Sequence, residues 1–260
     1  MRARSDSRSA GTQVRSASLR EDRELASDSA RRQRVPQARG SLVHVTAVPI
    51  FPLGTVLLPA MPTALSIFED RYVVMMARVL QKSGEFGIVL IERGNEVGGG
   101  DQRFRTGTMA QITKYTFEDG FLHLTAVGSK RFEVDHWLLE DPHPQARIRL
   151  LPDLDWTDDL RPLRDEAEGL VRQTLAAATK YGAPHWPADL ALSDDPTQAA
   201  WQLAGVAPIG PLDQLRLLRS ASMEDLLRSI ITMTAAAAEI LPMGWPEAFG
   251  GFADGPQSPA

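Results

Sequence analysis

Few side chains in this sequence could carry out covalent chemistry. The 260 residues include no cysteine and five histidines: His44, His123, His136, His143 and His185. Without cysteine there is no disulfide, no thiolate-bound zinc or iron–sulfur cluster, and no thiol nucleophile. The composition fits a reducing cytosol, and a cytoplasmic location is the expectation. No two histidines have the His-x-x-x-His or His-Glu-x-x-His spacing that places two imidazoles on one helical face around a metal. His123 and His136 fall on expected strands, the one arrangement in which a sheet could bring two together. Ser66 and Ser129 stand beside no evident base, and no Gly-x-Ser-x-Gly elbow occurs. Gly94–Asp101 is glycine-rich, but no Lys-Ser or Lys-Thr follows it and it opens no helix, so it is read as a loop that could touch a partner rather than as a phosphate cradle. No catalytic residue, metal ligand or cofactor is expected.

Glu69 and Arg71 are an acid and a base two residues apart. Such a pair is more often structural than catalytic. We expect Glu69 to cap or pair at the wall of the β region, with Arg71 or Arg131 as its partner, since a buried charge needs one. Phe51, Leu53, Phe68, Tyr72 and Phe132 are read as core. Core placement is also the expectation for Trp137, Trp156, Trp186, Trp201 and Trp245, although tryptophan is favoured at binding hot spots.

The elements that hold these residues fall into two kinds. From 46 to 152 the pattern is one of short strands separated by turn signals. Val48–Leu53 is apolar, but Pro49 and Pro52 cannot donate to a ladder, which predicts an edge strand or an extended entry segment. Val56–Leu58 ends at Pro59, and Ala64–Phe68 is a further short strand. Asp70 is placed to cap a helix over 71–82, whose stripe is Tyr72, Met75, Met76, Val79 and Leu80. Phe86–Ile91 reads as a strand buried on both faces. Gly107–Phe117 and Phe121–Val127 flank the turn dipeptide Asp119-Gly120, and Arg131–Leu139 and Gln145–Leu151 follow. Many short strands with one helix suggest a small closed or half-closed barrel. From 153 to 245 the pattern turns helical: 157–180, a short helix opened by Asp195-Pro196, 211–219, and a long helix opened at Ser222 and ended by Pro242. Apolar on one face, these helices should form a bundle partly packed on the barrel.

The β region also carries an ordered series of short motifs. They are Pro49–Gly54, Leu57-Leu58-Pro59, Ile67–Tyr72, Phe86–Leu90, Gly98–Gly100, Arg105–Ala110, Asp119-Gly120 and Gly128–Phe132. In this order, over about residues 46–152, they resemble the amino-terminal, substrate-binding domain of the Lon protease family, and the helical part resembles the bundle that follows it. The resemblance implies an α+β fold: a PUA-like small β-barrel with one internal helix, then a C-terminal α-helical bundle. Phe51, Pro52, Leu53, Pro59, Phe68, Glu69, Arg71, Tyr72, Gly107, Gly128, Arg131 and Phe132 are its motif residues, read as structural. It also implies a non-catalytic module that recognises unfolded or extended polypeptide, an adaptor in protein quality control or proteolysis with a protease or chaperone as partner. The sequence has no phosphate-loop motif and neither the ATPase module nor the Ser–Lys protease of full-length Lon, and so resembles a stand-alone Lon-domain protein of the kind seen in bacteria.

Charge bears on the alternative, a PUA-like protein that binds RNA. Residues 1–40 hold ten Arg and five acidic groups, whereas the remainder holds 18 basic and 28 acidic groups. An acidic body disfavours a phosphate backbone as partner, and only the tail argues for one. Residues 1–45 are expected to be a disordered basic tail and 246–260 a flexible one. The tail lacks the apolar run of a secretory signal, although its first twenty residues are mildly like a transit peptide. No membrane segment is expected.

Overall fold

The computed structural model describes residues 47–93, 102–180 and 186–241. Both expected tails, His44, His185, Trp245 and the Gly94–Asp101 loop lie outside the described residues.

Six strands, β1 (Ala47–Leu53), β2 (Pro62–Ile67), β3 (Glu85–Arg93), β4 (Gln102–Glu118), β5 (Phe121–Trp137) and β6 (Gln145–Leu150), form one sheet in the order β2-β5-β4-β3-β1-β6. Because β6 also pairs with β5, the ladders β5–β4–β3–β1–β6 run in a ring, with β2 attached outside it. Helix α1 (Asp70–Leu80) links β2 to β3. The helices α2 (Arg161–Thr179), α3 (Pro196–Val206), α4 (Pro211–Leu218) and α5 (Met223–Ile240) follow a 3-10 turn at Asp158–Leu160. The class is α+β, as expected.

The ring has little interior. Phe132, Ile50, Val89 and Val134 fill it. A Cβ on Gly87 would fall 2.6 Å from Ile50 Cδ1 and 2.9 Å from the Phe132 ring, and one on Gly107 would fall 2.6 Å from that ring. The two glycines on neighbouring strands make the slot that Phe132 occupies. A larger apolar cluster runs from Phe51, Met76 and Phe86 through Leu203 and Leu218 to Leu227, so barrel and helices share one core.

Several expectations change. The proline-marked β1 is not an edge: β6 pairs with Ala47–Pro49 and β3 with Ile50–Leu53. The Ile50 N–H turns to Pro144 O, on the β6 side. By strand alternation Pro52 turns its missing donor to that same side, where β6 has already ended. Second, Phe121–Val127 and Arg131–Leu139 are one 17-residue strand. Gly128 does not break it; the glycine instead admits the Leu58 carbonyl, which would sit 2.2 Å from a Cβ there. Val56–Leu58 is not a strand: Thr108 Oγ1 of β4 donates to Leu57 O at 2.6 Å, and Leu58 O accepts from Met61 N. Third, the cap of α1 is Glu69, not Asp70, and it acts through its backbone carbonyl, which accepts from the N–H groups of Tyr72 and Val73.

The helix starts follow local chemistry. Asp195 Oδ1 accepts from Gln198 N at 2.8 Å, and Ser222 Oγ accepts from Asp225 N at 3.1 Å. Each satisfies a donor that the first helical turn leaves free.

Candidate functional site

The motif residues fall mostly in the interior. Phe51, Pro52, Leu53, Pro59, Tyr72 and Phe132 are buried. Phe51 lies 4.4 Å from the Tyr72 ring, and the Arg71 guanidinium lies 4.4 Å above that ring. Arg71 Nε donates to Glu69 Oε2 at 3.1 Å, so Glu69 takes Arg71 and not Arg131 as its partner.

Arg131 has a different use. Its Nη1 donates to Leu218 O at 3.0 Å and Ser220 O at 2.8 Å, and its Nη2 to Pro152 O at 2.6 Å. Its charge therefore sits on the C-terminal carbonyls of α4, where a helix dipole favours a cation. Burial lowers its pKa, and Asp153 works against that. Trp201 lies 5.2 Å away on α3. Beside them is a cavity of about 290 Å³, lined by Pro59, Ala60, Gly128, Arg131, Asp153 and Trp201. The cavity has no nucleophile–base pair, and its one guanidinium is engaged with carbonyls. We read it as a joint between barrel and bundle.

The described histidines are scattered. His123 and His136 lie at opposite ends of β5, paired with different strands, so the sheet does not bring them together. His143 is buried with Nδ1 3.1 Å from Pro144 O. Burial lowers its pKa, and the Pro144 contact opposes that. Among the described residues no three His, Asp or Glu side chains group as metal ligands.

The surface feature that stands out is the far end of β2, β5 and β4, where the strands outrun the core. Asp119 and Gly120 both have positive φ, 52° and 84°, the type I′ geometry that matches strand twist. Ladder partners in an antiparallel pair share a face, so the register sorts this tip into two sides. One side carries Ser66, Phe121, His123, Thr116, Glu118 and Lys114. Phe68 joins it: its ring is 6.0 Å from Phe121, which stacks 6.0 Å from His123, and Ser66 Oγ meets His123 Nδ1 at 2.9 Å. The other side carries Leu65, Ile67, Leu122 and Leu124, all buried, and then Tyr115 and Phe117 on the outer strand, 57% and 67% exposed. The core roofs β2 and β5 there but stops short of β4.

Phe68, expected in the core, is thus 52% exposed, and it is the one motif residue in this patch. Tyr115, Phe117 and Phe121 escaped attention in the sequence. The signal was present: three aromatics within four residues of a tight turn cannot all reach a core that the middle of the hairpin already serves. Of the tryptophans, Trp201 is buried, while Trp137, Trp156 and Trp186 are half-buried.

Comparison with known proteins bears on what this arrangement does. A family model for the ATP-dependent protease La (LON) substrate-binding domain matches residues 47–236. The Lon protease of Roseiflexus castenholzii is 25% identical over 205 residues, 76% of this chain and 25% of that protein. The Lon protease of Phenylobacterium zucineum is 24% identical over 202 residues, 75% of this chain and 25% of that one. The chain spans about a quarter of the length of these curated relatives. Among solved structures, a Lon N-terminal domain protein from Xanthomonas campestris superposes with a TM-score of 0.52 at 23% identity, over 72% of this chain and 98% of that one. The N-terminal domain of a Mycobacterium avium complex Lon protease gives 0.53 at 17% identity, over 73% and 98%. At these identities the likeness establishes the fold.

Proposed function

The chain belongs to the Lon substrate-binding domain family, and from that premise we propose that it captures unfolded or extended polypeptide, without catalysis, on the Phe68–Phe121 face of its β tip. The observation that carries this is the exposed aromatic pair itself. Two rings in edge contact on a rigid sheet, flanked by the Ser66 and His123 polar groups, offer an apolar platform with hydrogen-bonding groups at its side. Exposed apolar patches of this kind mark interaction sites, and aromatics dominate binding energy at them. An apolar platform selects chains that expose hydrophobic side chains, which is what an unfolded protein presents.

The relatives' names include a protease, which supports a setting in proteolysis or quality control with this chain as an adaptor that delivers polypeptide to a protease or chaperone in the cytoplasm. Among the described residues no helix is long and apolar enough to cross a membrane. The ring of strands supports the PUA-like description, but the excess of acidic groups beyond residue 40 opposes the RNA-binding use of such folds.

Titrating the full chain against a fluorescent, permanently unfolded protein tests the reading. Binding is expected without ATP, and Phe68→Ala with Phe121→Ala is expected to weaken it by tenfold or more, at about 1–2 kcal/mol for each exposed anchor. No binding, or binding indifferent to both rings, overturns it.

A further inference from the structure

The outer strand of the tip has a second property, separate from the Phe68–Phe121 face. From Thr113 to Glu118 every residue of β4 is exposed. One edge of this stretch pairs with β5. On the other edge β3 reaches only to Glu85 opposite Gln111, with one further bond from Ile112 N to Gly84 O. Beyond that point, among the described residues, nothing pairs with the outer edge of β4. Open edges of this kind template pairing with another chain, and proteins usually blunt them with prolines, bulges or charges. Here the irregularity falls at Thr113, the first residue of the open stretch, and from Lys114 to Glu118 the ladder with β5 is regular and free of proline.

We propose that this edge pairs, antiparallel, with the same edge of a second copy of the chain, in the register centred on Thr116. Symmetry limits the choices. A two-fold axis through a flat pair of identical antiparallel strands must place a residue opposite itself, because ladder partners share a face. Centring on Lys114 sets lysine against lysine. Centring on Glu118 sets glutamate against glutamate. Centring on Tyr115 puts Lys114 opposite Thr116, and centring on Phe117 puts Thr116 opposite Glu118. Only the centre at Thr116 places Lys114 opposite Glu118, and it does so twice. It also sets Tyr115 opposite Phe117 twice, on the side where the core leaves both rings uncovered. The charge pattern, the aromatic pattern and the open hydrogen-bonding groups thus select one register and one partner. Neither Lys114 nor Glu118 has an ion-pair partner among the described residues, so both are available.

Sedimentation equilibrium of the full chain tests this. The expected result is a reversible dimer of twice the single-chain mass. Glu118→Lys or Lys114→Glu alone sets like charges opposite each other twice and is expected to raise the dissociation constant about tenfold. An equimolar mixture of the two single variants restores both pairs and is expected to recover the native constant as a heterodimer. The charge swap made within one chain is expected to recover it too. Unchanged thermal melts of each variant show that the tip still folds. Phe68→Ala with Phe121→Ala is expected to leave the dimer intact, so failure of the polypeptide reading and failure of this one are separable. A chain that stays monomeric up to its solubility limit, or a dimer indifferent to charge reversal, overturns the proposal. So does an edge protected from hydrogen exchange only when unfolded polypeptide is added.

Discussion

At their base, β4 and β5 lie against the end of α4. Arg131 caps its carbonyls, and Arg219 Nε donates to Thr106 Oγ1, which in turn donates to Glu133 Oε2. At their tip the same two strands carry Tyr115, Phe117 and Phe121 into solvent and, among the described residues, leave an edge unpaired. The base holds polar groups indoors, each with a partner. The tip holds apolar groups exposed to solvent. The difference separates two kinds of surface along one ladder: the base uses its specific contacts to lock sheet to helices, and the tip leaves its apolar groups exposed, as the proposed binding role requires.

Substitutions can break or sharpen that contrast. The largest effect is expected at the base for Gly128→Ala, whose Cβ would meet the Leu58 carbonyl at 2.2 Å. Backbone must move to admit it, at a cost of about 3 kcal/mol, the upper end for overpacking, read as a lower midpoint in urea unfolding. Next comes Arg131→Met. It fills similar space but takes the donor away from Leu218 O, Ser220 O and Pro152 O. A loss of about 2–3 kcal/mol is expected in the same measurement. At the tip, Phe117→Ser should change the stability of the single chain by no more than about 0.5 kcal/mol, because the ring is 67% exposed. A large loss there would mean that the tip is part of the structural core, and the contrast would fail.

Much of the fold was legible because its causes are local. The stripe of α1, the caps at Asp195 and Ser222, and the Asp119-Gly120 turn each depend on residues within a few positions. The errors share a different origin. Gly128 and the prolines of β1 carry local meanings, a break and an edge, that distant neighbours override: Leu58 approaches the glycine, and β6 ends before Pro52 needs it. Phe68 misled for the same reason, since an apolar residue closing a strand is core only if something covers it. Most motif residues lie in the interior, and of the exposed residues at the tip the motifs include only Phe68 and the turn. What a sheet leaves uncovered is set by where the other elements stop, and no short motif records that.

The locking of Arg131 to α4 has a consequence for the order of events during synthesis. Its two acceptors on and just after α4 lie 87 and 89 residues downstream. At roughly 5–20 residues per second, the ribosome delivers them on the order of ten seconds after the arginine itself. Through that interval the barrel wall carries a guanidinium meant for burial and an apolar flank meant for helices, both open to water. A nascent chain of this kind therefore exposes apolar surface of its own until its last helices are made.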